Sequence, residues 1–466
     1  MSGCGATAAW RDRIGPELFP APPAEAQGRS RGRSALLLAG LVLLGAFLVV
    51  ARLGPGTFER VWAEDGPIYL AQAIGHGFWH TIFLPYAGYL VVVPRLIGAA
   101  AATLLPLQWA ATVVVALAAL ATALCGVAVW FGSAGQVPDR RLRAGLVIAA
   151  TLAAAAGQET LDSAAYVPWF MLFATFWLLF LWPRTTAGAG AAGAFALLTG
   201  LSTPGVWFFA PVAILRALSG PTRKAWIVLA GYAAGALVQI PVLLTHDQEA
   251  SLWSGHIWTA YLQRVVDGGL LGQRLGGQLW EKLGWAFVIA LALVAIVGLV
   301  LALRRAPRGS LWCVLALLGT SLSMFVVSVY QRGFAAEIFW RGGVATGLAS
   351  RYVLVPAVLL VSAVVVAVSG ALRGAWGRAL PAATATRIVA ATVAALVVVV
   401  AISFDMSYTS GGVPAWRDAL RQAADKCVAE GNEVAGIPTE PVPYGVVTPC
   451  TEAESFASTA LRGRHR

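Results

Sequence analysis

Apolar runs that are too long and too numerous for a soluble core dominate the chain. The first, ALLLAGLVLLGAFLVVA over 35–51, has a basic flank and no small-residue cleavage site, so it reads as a signal anchor and first span. Similar runs follow near 108–131, 144–157, 166–182, 189–204, 206–219, 225–244, 284–303, 310–329, 352–369 and 388–404. They predict about eleven membrane spans, within a range of roughly 9 to 12, several shorter than the ~20 residues of a straight crossing. Pro204 and Gly205 mark the turn of one closely spaced pair. Of 466 residues, 58% are hydrophobic and 12% charged; soluble domains carry about 45–50% and about 25%. The predicted class is an all-α polytopic membrane protein with the lipid bilayer as its first partner. Its expected parts are a disordered polar tail over 1–34, a transmembrane domain over 35–404 and a C-terminal segment over 405–466.

The net charge of +11 raises nucleic acid as a partner, but the basic residues are scattered in small groups between apolar runs. No single basic patch forms, so no nucleic-acid partner is expected. The scatter follows the positive-inside rule. With the N-terminus in the cytoplasm, alternate short segments hold Arg140, Arg141 and Arg143; Arg184; Arg216, Arg223 and Lys224; Arg304, Arg305 and Arg308; and Arg373, Arg378 and Arg387. The acids of those segments and the tail are Asp12, Glu17, Glu25 and Asp139. The other side carries the longer loops 52–107, 245–283 and 330–351, the segment 405–466, and every remaining acid. The working surface is therefore expected outside the cytoplasm, with the C-terminus extracytoplasmic. Arginine far exceeds lysine, and alanine and glycine abound, which points to a GC-rich bacterium and its cytoplasmic (inner) membrane.

The five cysteines divide by setting. Cys4 is in the tail, and Cys125 and Cys313 lie in apolar runs as inert core thiols. Cys427 and Cys450 fall on the oxidising side, where a disulfide is expected, with two unpaired thiols as the alternative. WRDALRQAADKC sets Trp416, Leu420, Ala424 and Cys427 at helical spacing, and GIPTEPVPYGVVTPC is Pro-rich and extended. A bridge would staple the extended piece onto the helix.

Within RVWAEDGPIYL, residues 60–70, Glu64 and Asp65 stand side by side in a chain with few acids. DGPIYLAQAI reads as a short helix with Asp65 as N-cap and Pro67 in its first turn. A carboxylate so held can also serve as a general base, provided that it reaches a substrate hydroxyl. FLPYAGYLVVVPRLIGAAAATLLP, 83–106, is apolar but broken by prolines. It is expected to lie as an interfacial helix along the outer leaflet, with Tyr86, Tyr89 and Arg95 at headgroup depth; the alternative is an extended start of the second span. The second outer loop offers Gln158, Glu159 and Asp162 beside Tyr166 and Trp169, a set suited to sugar hydroxyls and ring faces, or else a solvated tip in an aromatic belt. Arg332, Arg341 and Arg351 gather before RYVLVP and suit a lipid phosphate, or else simple headgroup contact. Trp253, Ile257, Tyr261 and Val265 form a stripe expected to lie on the membrane. His246 and His256 have no second ligand at metal spacing, so no metal ligand is assigned.

An outer loop with an acidic pair after the first span, followed by a membrane-parallel helix, resembles the GT-C glycosyltransferases. The block WAEDGPIYL…PYAGYLVVVPRL carries the resemblance, which also extends to uncharacterised multi-span proteins of GC-rich bacteria; GQETLDSAAYVPW, LSTPGVWFFAP and SRYVLVP echo it. Mannosyl-, arabinofuranosyl- and aminoarabinosyltransferases belong to that family. The resemblance implies a GT-C-like fold and a polyprenyl-phosphate-linked sugar as donor. It further implies an extracytoplasmic envelope acceptor and a first-loop carboxylate, Asp65 or Glu64, as catalytic base. Asp65 is slightly favoured because the cap position would orient it. Glu159, Asp162, Trp169, Tyr86, Tyr89, Arg95, Arg351, Arg341 and Arg332 are the substrate-binding candidates. No cofactor is assigned, and a divalent metal stays open because a second DxD-type pair is missing. Two other readings compete. A lipid or glycolipid transporter or flippase would usually carry mid-span ionisable residues, and the spans show Gln239 but no acid, Lys or His. A non-catalytic envelope subunit is the third.

Overall fold

The computed structural model describes residues 15–23, 31–52, 54, 56–156, 163–245, 256–331, 350–403, 413–441 and 444–453. Among them the chain is nearly all helix. Six helices are long and apolar enough to cross a membrane: Leu107–Gly132, Arg223–Thr245, Gln273–Leu303, Arg308–Gln331, Arg351–Arg373 and Ala382–Ile402. The protein is thus a multi-pass helical membrane protein by the length and composition of these elements.

In chain order we label the main helices α1 (Arg31–Ala51), α2 (Val92–Thr103), α3 (Ala110–Gly132), α4 (Arg140–Thr151), α5 (Val167–Leu178), α6 (Thr186–Gly200), α7 (Ala210–Leu218), α8 (Arg223–Thr245), α9 (Gln273–Leu303), α10 (Arg308–Gln331), α11 (Arg351–Arg373), α12 (Ala382–Ile402) and α13 (Trp416–Glu430). α11 is the central strut. Its Val353, Val355, Leu359, Ala363 and Val366 are wholly buried, while α9 leaves Leu293, Val294 and Val297 more than half exposed. Exposed apolar side chains on long helices are what a lipid solvent tolerates. Glycine permits the closest approach: a Cβ at Gly200 or Gly235 would strike the facing backbone of α8 or α6. α9 bends at Gly284, whose φ is 63°.

Residues 57–106 form a cap over one end of the bundle. Short helical turns lead into a two-stranded hairpin, β1 (Pro85–Tyr86) and β2 (Tyr89–Leu90). Its two-residue turn has positive φ at both Ala87 (51°) and Gly88 (83°), the twist a tight hairpin requires. The expected helix over 83–106 is shortened to α2, Val92–Thr103, most of whose residues are buried in the protein, and its first part is this hairpin instead. The reason lies in two polar anchors. Arg95 is 1% exposed; its Nε donates to Leu84 O at 2.6 Å and its Nη1 to Gln72 Oε1 at 2.8 Å. Gln239, the mid-span polar residue of α8, accepts from Leu90 N at 3.0 Å and donates to Leu90 O at 3.1 Å and Gly200 O at 2.8 Å. Arg95 thus has no headgroup role here; it locks the hairpin from inside.

The expected membrane-lying stripe is corrected likewise. Ile257 and Val265 are fully buried and pack with Phe325, Val353 and Ala357, and Tyr261 meets Phe325 at 5.5 Å. Trp253 and His246 lie outside the described residues. At the opposite end, part of the tail expected to be disordered is folded. Leu18 and Phe19 are buried, Gln136 Nε2 donates to Leu18 O at 2.7 Å, and Arg216 stacks on Phe19 and Trp182.

The C-terminal unit consists of α13 and an antiparallel pair, β3 (Val434–Pro438) and β4 (Gly445–Pro449). Cys427 and Cys450 are joined by a disulfide with Cα atoms 5.7 Å apart. Cys125 and Cys313 are buried free thiols. The unit docks on the first-loop cap. Glu440 N donates to Val61 O at 3.1 Å, and Ala63 N donates to Glu440 O. Arg417 pairs with Glu59 at 3.3 Å and stacks on Trp109, and Trp416 Nε1 donates to Leu107 O at 2.9 Å.

Candidate functional site

The acidic pair sits where the first-loop cap, the start of α5, the start of α11 and the C-terminal unit meet. Ala63, docked on Glu440, has a φ of 42°. That region is uncommon for a residue with a Cβ. Glu64 and Asp65 follow it in one tight turn, Ala63–Asp65, and reach different partners.

Asp65 is 1% exposed, and its two carboxylate oxygens accept from the amides of Ala164 (2.9 Å) and Ala165 (2.8 Å). It therefore caps the turn that begins the helical segment Ala164–Leu178, not its own. At the head of Gly66–Leu70 its side chain makes no capping bond, because its backbone is already helical there. Burial pushes its carboxyl up to about 7, the two amides pull it down, and Glu64 adds a smaller upward push.

Glu64 keeps a partly exposed carboxylate. Tyr166 donates its hydroxyl to Glu64 Oε2 at 3.1 Å, Arg351 Nη1 donates to that hydroxyl at 2.8 Å, and Arg351 approaches Glu64 Oε1 at 3.6 Å. The Glu64 and Arg351 side chains are 13% and 29% exposed. Arg351 also lies over the rings of Tyr166 (5.5 Å) and Tyr352 (5.2 Å), and Tyr352 meets Trp169 edge-on at 5.8 Å. The charge of Glu64 also acts on two more phenols, Tyr86 and Tyr444. Tyr86 is pushed up to about 12, chiefly by burial and next by Glu64, with Arg351 opposing. Tyr444 is raised by burial and by Glu64, and Arg351 again opposes.

Of the residues singled out from sequence, Glu64, Tyr166, Arg351 and, through Tyr352, Trp169 converge, while Tyr86 contacts Tyr69 on the first-loop cap. Tyr89 stays on the hairpin beside Tyr86, and Arg95 is an internal anchor. Glu159, Asp162, Arg332 and Arg341 lie outside the described residues. Tyr352 and Tyr444 carry no local motif that would have marked them, apart from the adjacency of Tyr352 to Arg351. Among the described residues no three His, Cys, Asp or Glu side chains converge to hold a metal ion. An apolar cavity of about 270 Å³ runs between α4, α11 and α12, lined by Ala154, Gly269, Ala357, Val361, Val365 and Val400 among others. Its first α11 residue, Ala357, lies six positions after Arg351, about 9 Å along the helix axis.

The class defined so far is a multi-pass helical membrane protein with a carboxylate–guanidinium site at one end of its bundle. No family model, curated protein or solved structure matches the chain.

Proposed function

We propose that this protein is a GT-C-like integral membrane glycosyltransferase that moves a sugar from a polyprenyl-phosphate donor to an extracytoplasmic acceptor. Reading α1, α4, α5, α6 and α7 as shorter passes beside the six long helices amounts to eleven crossings with the termini on opposite sides, and the arginines of the short segments favour the N-terminus inside a bacterial inner membrane. The observation that carries the reading is the partly exposed Glu64 carboxylate held beside Arg351 through Tyr166.

Glu64, not Asp65, is the base in this scheme, because both oxygens of Asp65 are engaged by backbone amides. The donor phosphate draws Arg351 from Glu64 by offering it a stronger, bidentate partner. Glu64 then removes the proton of the acceptor hydroxyl. The acceptor oxygen bonds to the anomeric carbon as the carbon–phosphate-oxygen bond breaks, and polyprenyl phosphate leaves with its charge met by Arg351. The apolar cavity beneath the start of α11 suits the prenyl chain. A cavity between helices also suits a lipid flippase, which is the competing reading.

The test is sugar transfer from a polyprenyl-phosphate donor in membranes. Glu64→Gln is expected to lower transfer by about 10²–10⁴-fold, the usual worth of a general base. Asp65→Asn is expected to lower it only as far as the folded fraction falls. Equal transfer by wild type and Glu64→Gln refutes the assignment, and lipid flipping in liposomes without transfer favours the rival.

A further inference from the structure

The end of the bundle opposite the acidic pair holds a polar cavity. Its volume is about 360 Å³, and its polar lining comes from Arg308, Ser310, Arg373, Gln136 and Glu17. Arg351 and Arg373 are the two ends of α11, about 33 Å apart along its axis, so this cavity is separate from the site around Glu64. One wall is the N-terminal segment. Gln136 Nε2 donates to Leu18 O at 2.7 Å, and a Cβ at Gly309 or Gly135 would strike the backbone oxygen of Glu17 or Pro20. α10 begins at this cavity and α11 ends at it, so their terminal dipoles oppose one another and side chains set the local charge.

Those side chains leave two needs unmet. Arg373 donates only to neutral groups: the carbonyls of Ser369, Gly135 and Gln136 and, at 3.1 Å, the Ser310 hydroxyl. Among the described residues, Arg308, Arg373 and Glu17 enter no ion pair. Two guanidiniums against one carboxylate call for an anion, and phosphate matches the guanidinium fork in shape as well as charge. Gln136 is 1% exposed, yet its Oε1 accepts no hydrogen bond. A buried acceptor of that kind calls for a donor.

We propose that this cavity binds a phosphate group carrying hydroxyls, the chemistry of a glycerol phosphate. The phosphate meets Arg308 and Arg373, and a hydroxyl donates to Gln136 Oε1. The bound group would tie the N-terminal segment to α10 and α11. It comes either as a lipid headgroup or as a soluble ester. Both helices are long enough to cross a bilayer, which sets their ends at headgroup depth. The proposal is independent of the glycosyltransferase reading.

The experiment uses the full chain in non-ionic detergent, with binding read by native mass spectrometry and thermophoresis. The probes are dioctanoyl-phosphatidylglycerol, dioctanoyl-phosphatidylmethanol, which has the phosphate but no hydroxyl, and glycerol phosphate. Phosphatidylglycerol is expected to bind more tightly than phosphatidylmethanol. Arg308→Gln should weaken it by about tenfold, the worth of one charge-assisted hydrogen bond. Arg308→Lys should retain most of the affinity, and Lys282→Gln, a loss of charge elsewhere on the surface, should leave it unchanged. Glycerol phosphate binding as tightly as the lipid assigns the soluble source, and much weaker binding assigns the headgroup. Wild-type affinity in Arg308→Gln, equal binding of phosphatidylmethanol, or no binding of phosphatidylglycerol or glycerol phosphate by the wild type overturns the proposal.

Discussion

Asp65 places both carboxylate oxygens on the amides of Ala164 and Ala165, whereas Glu64, one residue earlier, meets Tyr166 and Arg351 at a partly open surface. Neighbours in sequence therefore meet different partners: Asp65 holds the start of a distant helix, and Glu64 keeps a carboxylate paired with Tyr166 and Arg351 near the surface. The burial of Asp65 has a pH consequence. A carboxyl raised from 3.8 to about 7 on folding holds its proton more tightly in the folded chain. Its contribution to stability is then complete below the unfolded value and is lost as pH rises through the folded one. The stability of wild type relative to Asp65→Asn should accordingly fall between about pH 4 and about pH 7, measured as the difference of thermal midpoints in detergent. A difference that grows with pH contradicts this. The adjacency of the two acids is legible in the sequence, but the different partners they reach are not. The N-cap expectation favoured Asp65, and the capping preference of aspartate was real but was satisfied by amides 99 and 100 residues away.

Elements show the same division. The long apolar helices α3, α8, α10, α11 and α12 follow their runs closely, since twenty consecutive apolar residues leave the backbone few ways to satisfy its polar groups in lipid. The hairpin over 85–90 was missed because its signal, Tyr-Ala-Gly-Tyr, is short and lies inside an apolar stretch. Its stability comes from α8, through Gln239, and from Arg95. Gln239→Leu would leave the amide and carbonyl of Leu90 and the carbonyl of Gly200 without this partner in a buried place. We expect a loss of about 1–3 kcal/mol, the cost of an unsatisfied buried group, read by unfolding in detergent. Transfer should fall too, because Tyr86 rides on that hairpin. An unchanged unfolding profile refutes the anchoring role.

At the scale of the whole molecule, the C-terminal unit is docked on the first-loop cap that carries Glu64. Its disulfide joins residues 23 apart and ties β4 to α13, while Glu440, Arg417 and Trp416 fasten the unit to the first-loop cap. Replacing Cys427 and Cys450 by serine should destabilise this unit by about 2–4 kcal/mol, the usual worth of such a closure. It should also loosen β3 and β4 from the first-loop cap, seen as faster proteolysis of the C-terminal unit and reduced transfer; reduction by a dithiol should reproduce both. Retention of a protease-resistant C-terminus after reduction speaks against the tether. The sequence by itself determined the solvent of the protein and hence its class. Apolar runs and scattered arginines report on lipid and its two faces residue by residue, and need no knowledge of neighbours. Tertiary structure alone decided which partners each carboxylate meets, what Arg95 and Gln239 hold, and that Tyr166 and Arg351 reach Glu64. Each of those depends on groups brought together from remote parts of the chain, and local periodicity carries no record of which distant amide or ring a side chain will meet.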